Sequence, residues 1–279
     1  MDNESKIMEE LEEQRRIEPS DFRAYKKSGK LLRMLSVPDY YSAKMADQQG
    51  IEIIMVGDSL GKHIHGDEDV FSIAIGDMAY YSKIIGRAVS KSCFITDLPF
   101  SSYTKGPEDA VKNAKFLMDY ANVQGVKLEG AKDYFPCIEA LVDAGVPVMG
   151  HLNLKDSFLN KFGGIPMMEH QKTKDWTMII SFAKKMEKLG IFALMLECVP
   201  AELGKMVVES VDIPVISQGA GHYCDGQCLV FHDMMGFHEG FVPKFTKRYG
   251  RLSQVMSSSV KSFVDDVHSH RFPIEEHEY

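Results

Sequence analysis

Cysteine is scarce in this chain of 279 residues, with five at Cys93, Cys137, Cys198, Cys224 and Cys228. An odd, scattered set with no export signal in the opening residues argues against structural disulfides. Cys224 and Cys228 flank only Asp225, Gly226 and Gln227 and have no second ligand pair at zinc-site spacing, so a zinc role is not expected. Long apolar runs are missing as well. None approaches the roughly 18 to 20 residues of a membrane span, and the opening stretch MDNESKIMEELEEQRR lacks the apolar centre of a signal peptide. A cytoplasmic location with no membrane partner is the expectation. Positive charge is in deficit: 32 Lys and Arg against 40 Asp and Glu leave a net charge of −8, with no extended Lys/Arg run. Nucleic acid and anionic membranes are therefore poor partners.

Present in quantity are apolar residues, 44% of the chain, beside 26% charged ones, enough to build a core without metal or disulfide staples. Residues 1–19 read as a charged, helical N-terminal arm, and residues 20–279 as one domain. After Ser20, the stretch DFRAYKKSGK reads as a short helix closed by Gly29. Eight short apolar runs follow: 31–37, 51–58, 93–100, 126–130, 146–154, 191–198, 213–219 and 228–234. Most are interrupted so little by polar residues that they suit strands covered on both faces, as in a parallel sheet under helices. Helical patterns separate them, among them DMAYYSKIIGRAVSKS, PEDAVKNAKFLMDYANVQG and KTKDWTMIISFAKKMEKLG, several closing on glycine; TKRYGRLSQVMSSSVKSFVDDVHSH reads as one or two closing helices. Such repeats predict an α/β fold, a closed (β/α)8 TIM barrel, in a length that barrels of about 250 residues routinely fill.

In that fold catalytic groups stand at the C-terminal ends of the strands, so the residues that end the apolar runs become the candidates. Asp58 and Ser59 end the second run, Asp97 the third, Lys127 and Glu129 the fourth, His151 and Asn153 the fifth and Glu197 the sixth. Taken singly, Asp58 could be a helix cap, Asp97 a turn residue, Lys127 a snorkelling surface residue and His151 a hydrogen-bonded core histidine. Taken together, four acids on one rim repel unless a cation or a proton compensates them. Oxygen-only ligands select a hard divalent ion such as Mg²⁺. A 2-oxo acid would chelate that ion, whose Lewis acidity loosens the adjacent C–H. Glu197, held off the metal, could then take the proton, with Lys127 offsetting negative charge on the substrate.

The segments VGDSLG (56–61), TDLPF (96–100), VKLEG (126–130), PVMGH (147–151), LECVPAEL (196–203), GAG followed by CDGQ (219–227) and HDMMG (232–236) resemble, in order and spacing, those of the ketopantoate hydroxymethyltransferase family. The likeness runs from about residue 20 to the closing residues. It implies a barrel of the phosphoenolpyruvate/pyruvate superfamily, assembled as a homo-oligomer, a decamer in the family. It also implies transfer of a hydroxymethyl group from 5,10-methylenetetrahydrofolate to 3-methyl-2-oxobutanoate, giving 2-dehydropantoate for pantothenate and coenzyme A synthesis. By motif, Asp58 and Asp97 match metal ligands for Mg²⁺ or another divalent cation, with Glu129 a further metal-site carboxylate. Ser59, Asp97, Lys127 and Asp58 match contacts of the 2-oxo acid, His151 falls at a rim histidine, and Glu197 matches the general base.

The chain also departs from the family pattern. SVPD (36–39) stands for TAYD, GDEDVFSIAIGDM (66–78) for GYDSTLPVTLDDM, GHLNLKDS (150–157) for GHIGLTPQ, GIPMMEHQK (164–172) for the GYKVQG loop and SQGAG (217–221) for GIGAG. The metal and proton-transfer residues are kept while loops around the substrate pockets differ. Two other readings therefore stand beside the first: a related metal-dependent aldolase or hydroxymethyltransferase using another 2-oxo acid or electrophile, and a non-catalytic scaffold on the same barrel.

Overall fold

The apolar runs pair edge to edge because each is too short and too β-branched to stand alone. In the computed structural model, which describes residues 15–68, 70–130, 132–153 and 173–279, they form eight strands: β1 (Leu32–Ser36), β2 (Ile53–Val56), β3 (Cys93–Asp97), β4 (Gly125–Glu129), β5 (Val148–Asn153), β6 (Ala193–Glu197), β7 (Val215–Gln218) and β8 (Gly226–Val230). All neighbours are parallel, in chain order, and β8 closes on β1. Every residue of β2 and β3 is buried, as strands covered on both faces require.

The α-helices are α1 (Phe22–Ser28), α2 (Tyr40–Gln48), α3 (Ile75–Gly86), α4 (Pro107–Ala121), α5 (Phe135–Asp143), α6 (Thr173–Lys188), α7 (Ala201–Val208), α8 (Phe231–Met235) and α9 (Leu252–His268). Gly29 closes α1 in the left-handed conformation, φ 71°, as its sequence suggests. Asp39 caps α2, its carboxylate accepting from the amides of Tyr41 and Ser42.

Three boundaries differ from expectation. The helix expected over 77–92 stops at Gly86, because Ser90, Lys91 and Ser92 give their amides to the Asp47 carboxylate of α2 rather than to a helical ladder. The last strand begins at Gly226 and ends at Val230, and the HDM expected to continue it is helical in α8. Gly226 belongs to the strand because a Cβ there would lie 2.5 Å from the Leu32 carbonyl, so only glycine lets β8 approach β1. No helix separates β7 from β8; the seven residues 219–225 turn instead through Gly219 and Gly221, both at positive φ.

The chain divides into two compact units, Met1–Val230 and Phe231–Tyr279. The first holds the whole barrel. Its interior is packed by Leu32, Met34, Ile53, Met55, Cys93, Ile95, Met149, Ala193, Met195, Ile216 and Cys228, with Phe22 of α1 in the same cluster and its ring 5.2 Å from that of Phe192. Of the expected N-terminal arm, residues 1–14 lie outside the described residues. Residues 16–18 are not helical: the Ile17 amide donates to Lys91 O, and its carbonyl accepts from Gln124. The second unit holds α8 and α9, and within it His238 Nε2 lies 2.8 Å from Asp233 Oδ1. Among the described residues no helix is long and apolar enough to cross a membrane.

Candidate active site

Strand order and register bring the expected residues to one end of the barrel. Asp97 ends β3, Lys127 and Glu129 end β4, His151 and Asn153 end β5, Glu197 ends β6, and Asp58 and Ser59 follow β2. The parallel ladder aligns Asp97 with Lys127, Glu129 with His151 and Asn153 with Glu197, so adjacent strands offer complementary groups at one height.

Asp97, Lys127 and His151 are nearly closed to solvent, at 3%, 6% and 4% exposure. Lys127 Nζ lies 3.1 Å from Asp97 Oδ1 and 3.1 Å from His151 Nδ1. An ammonium has donors only, so Nδ1 must accept, which places the imidazole proton on Nε2. From there it donates to Glu197 Oε2, 3.0 Å away. The result is a continuous chain from Asp97 through Lys127 and His151 to Glu197. The Lys127 snorkelling alternative is excluded by its burial.

Burial alone lowers the basicity of Lys127, but the charges of Asp97, Asp58 and Glu129 outweigh it and raise the ammonium above its ordinary value. For Glu197 burial pushes the carboxyl up, yet the His151 hydrogen bond and the charge of Lys127 hold it below the usual range. It is therefore ionised and able to receive a proton. Cys198, next along the chain, has a left-handed backbone at φ 50° where β6 ends.

Asp58 is the opposite case. Burial, with the Asp97 charge adding to it, pushes its carboxyl up to about 7. Asp97 is raised too, by burial, against the pull of Lys127. Asp97 Oδ2 accepts from the Asp58 amide at 3.1 Å, while among the described residues Oδ1 has no partner beyond the Lys127 ammonium. The Asp58 side chain caps no helix: the short π-helix Gly61–His65 starts from Leu60 without a side-chain cap. Asp97, buried, and Asp58, half-buried, are thus short of positive charge, and the donors are oxygens only, which suits a hard divalent cation. Among the described residues, oxygens of Asp58, Asp97 and Glu129 do not all come within 4.8 Å of one another.

Ser59 Oγ lies 3.3 Å from Ser36 Oγ, a β1 residue not among the candidates. Tyr103 was also missed; its hydroxyl donates to Glu129 O at 2.9 Å, and its ring packs edge-on against Phe100 and Tyr134. Ser36 was visible only as the first residue of the SVPD segment that stands for TAYD, and Tyr103, in a turn, carried no sequence signal. The second half of GHLNLKDS and all of GIPMMEHQK lie outside the described residues.

A closed parallel barrel with acids, a lysine and a histidine joined at the C-terminal strand ends defines the class, a (β/α)8 barrel with an enzyme-type rim. The same fold is found in 2,3-dimethylmalate lyase, a PEP mutase/isocitrate lyase superfamily member, at TM-score 0.60 and 14% identity over 94% of this chain and 91% of that one. It is found again in phosphonopyruvate hydrolase complexed with oxalate and Mg²⁺, at TM-score 0.58 and 12% identity over 90% and 87%. The chain belongs to the ketopantoate hydroxymethyltransferase family, whose model matches residues 16–275. It is 42% identical over 254 residues to a 3-methyl-2-oxobutanoate hydroxymethyltransferase of Caldicellulosiruptor saccharolyticus, covering 91% of this chain and 96% of that protein. It is 40% identical over 258 residues to the same-named protein of Clostridioides difficile, covering 92% and 94%.

Proposed function

We propose that this chain is a hydroxymethyltransferase that moves a one-carbon unit from 5,10-methylenetetrahydrofolate to 3-methyl-2-oxobutanoate, giving 2-dehydropantoate on the route to pantothenate and coenzyme A. The observation that carries the reading is the Asp97–Lys127–His151–Glu197 chain beside Asp58, buried as far as His151 and opening at Glu197. Support comes from relatives of that name over nine-tenths of the chain.

Asp58 and Asp97, with Glu129 as the further carboxylate, would hold Mg²⁺ or another divalent cation. When bound, the cation supplies Lewis-acid polarisation of the 2-oxo carbonyl. Glu197 receives the C3 proton, held in its ionised form and oriented by the Nε2–H of His151. Lys127, fixed between Asp97 and His151, faces the negative charge that develops as that proton leaves. Ser59 and His151 complete the contacts of the 2-oxo acid. The domain reading of residues 20–279, cytoplasmic operation and homo-oligomeric assembly belong to the same proposal. Support for assembly is the row Met256, Val260, Phe263 and Val267 on α9, all exposed in a helix that buries nothing.

The test is to incubate the protein with 3-methyl-2-oxobutanoate, methylenetetrahydrofolate and Mg²⁺ and to seek ketopantoate by mass spectrometry. Formation of product dependent on all three supports the reading. No product, with solvent deuterium entering a different 2-oxo acid, replaces it by a related aldolase. Neither Mg²⁺ binding nor exchange into any 2-oxo acid replaces it by a non-catalytic scaffold.

A further inference from the structure

Glu129 is a rim carboxylate whose position is fixed by a residue outside the Asp97–Lys127–His151–Glu197 chain. Its two carboxylate oxygens are treated separately. Oε1 accepts a hydrogen bond from Nδ2 of Asn153 at 2.8 Å, while Oε2 faces His151 Nδ1 at 3.7 Å, beyond hydrogen-bond reach. The main chain is tied as well: the Glu129 carbonyl accepts from the Tyr103 hydroxyl, and the amide of Gly130 donates to His151 O at 3.2 Å.

Asn153 is placed to do this by strand geometry. It lies two residues beyond His151 on β5, so both side chains leave the same face of the strand. The register that sets His151 beside Glu129 and Asn153 beside Glu197 puts the amide between β4 and β6. A neutral amide donor orients a carboxylate without cancelling its charge. Lysine at this position would neutralise Glu129, and an apolar residue would leave it free to rotate. A carboxylate that accepts one such bond keeps most of its lone pairs for another partner.

We propose that Asn153 is a positioning residue for the divalent-cation site. Its amide anchors Glu129 Oε1 so that the Glu129 charge stays directed at the cation held by Asp58 and Asp97. This rests on the cation reading above and extends it to a residue that ligates nothing itself. Groups that orient metal-site carboxylates typically affect metal affinity by about 10- to 100-fold when removed.

The experiment is Mn²⁺ titration of the full chain followed by EPR of the free ion, applied to wild type, Asn153→Ala, Glu129→Gln and the double variant, with thermal melting to establish that each is folded. Asn153→Ala is expected to weaken Mn²⁺ binding about tenfold and to raise the cation concentration that half-activates turnover, with kcat at saturating cation retained. Because Asn153 acts through Glu129, adding Asn153→Ala to Glu129→Gln is expected to change affinity by less than about twofold. Affinity of Asn153→Ala within twofold of wild type overturns the proposal. So does full additivity in the double variant, which would mean that Asn153 acts independently of Glu129. If the wild type itself binds no Mn²⁺, the cation reading fails together with this one, an outcome distinct from the other two.

Discussion

A carboxylate closed off from water needs either donors or a counter-charge, and this chain contains both solutions. Asp47 has donors: its two oxygens accept from the amides of Ser90, Lys91 and Ser92 and from the hydroxyls of Ser90 and Ser92. Burial pushes its carboxyl up, but those bonds outweigh it and hold the group below its ordinary value. A folded-state pKa below the unfolded one contributes stability in full above the unfolded value of about 3.9, and the contribution is lost as pH falls through the folded value. Asp47→Asn should therefore cost about 3 kcal/mol at pH 7 in urea denaturation, with the gap to wild type closing below about pH 4. A gap independent of pH would refute the role given to the charge. Glu197 meets the need with His151 and Lys127, which keeps it a carboxylate in the site. Glu197→Gln keeps the shape and removes the acceptor of the proton. Turnover is expected to drop by about 10²- to 10⁴-fold while Mn²⁺ affinity stays within a small factor. Unchanged turnover would remove Glu197 from the mechanism.

At the scale of elements, the eight strands and the rim they carry were legible because a strand covered on both faces leaves an unbroken apolar run that ends where the chain meets solvent. Ile53–Val56 followed by Gly57, Asp58 and Ser59 is one instance, and Ala193–Glu197 is another. The misplaced boundaries share a cause, which is that a partner distant in the chain decides them. Nothing local to Ser90–Ser92 announces that Asp47 will take their amides, and nothing local to Gly226 announces the Leu32 carbonyl. The same holds within the site. Asn153 was visible as the end of a run, but its pairing with Glu129 depends on the β4–β5 register. Barrel closure supplies a test of the element argument. A methyl at residue 226 would meet Leu32 O at 2.5 Å, Ile216 Cδ1 at 2.7 Å and Leu32 Cβ at 2.9 Å. Gly226→Ala should force β8 away from β1 and destabilise the barrel by about 3 kcal/mol, read as a lowered denaturation midpoint. A midpoint equal to that of wild type would show that the β1–β8 seam yields more easily than its packing implies.

Over the whole molecule, the scarcity of cysteine takes a definite physical form. All five thiols are free, and Cys93, Cys137, Cys224 and Cys228 are buried, with Cys198 half-buried. Burial raises each of them: Cys198 and Cys228 are pushed up to about 12 and Cys224 to about 11, and Cys93 and Cys137 also stand above their ordinary value. The thiolate is the form that attacks disulfides and alkylating agents, so these groups are inert at neutral pH although Cys198 adjoins the Glu197 carboxylate. Stability then owes nothing to redox state, and the barrel stands on its packed interior. The expected result is that native protein at pH 7.5 releases no thionitrobenzoate from Ellman's reagent on the timescale of minutes. Unfolding in guanidinium should then release all five equivalents, and a reductant should leave the melting temperature unchanged. Rapid release of even one equivalent from the native protein would show that a barrel thiol is open to solvent, with Cys198 as the first residue to replace by serine.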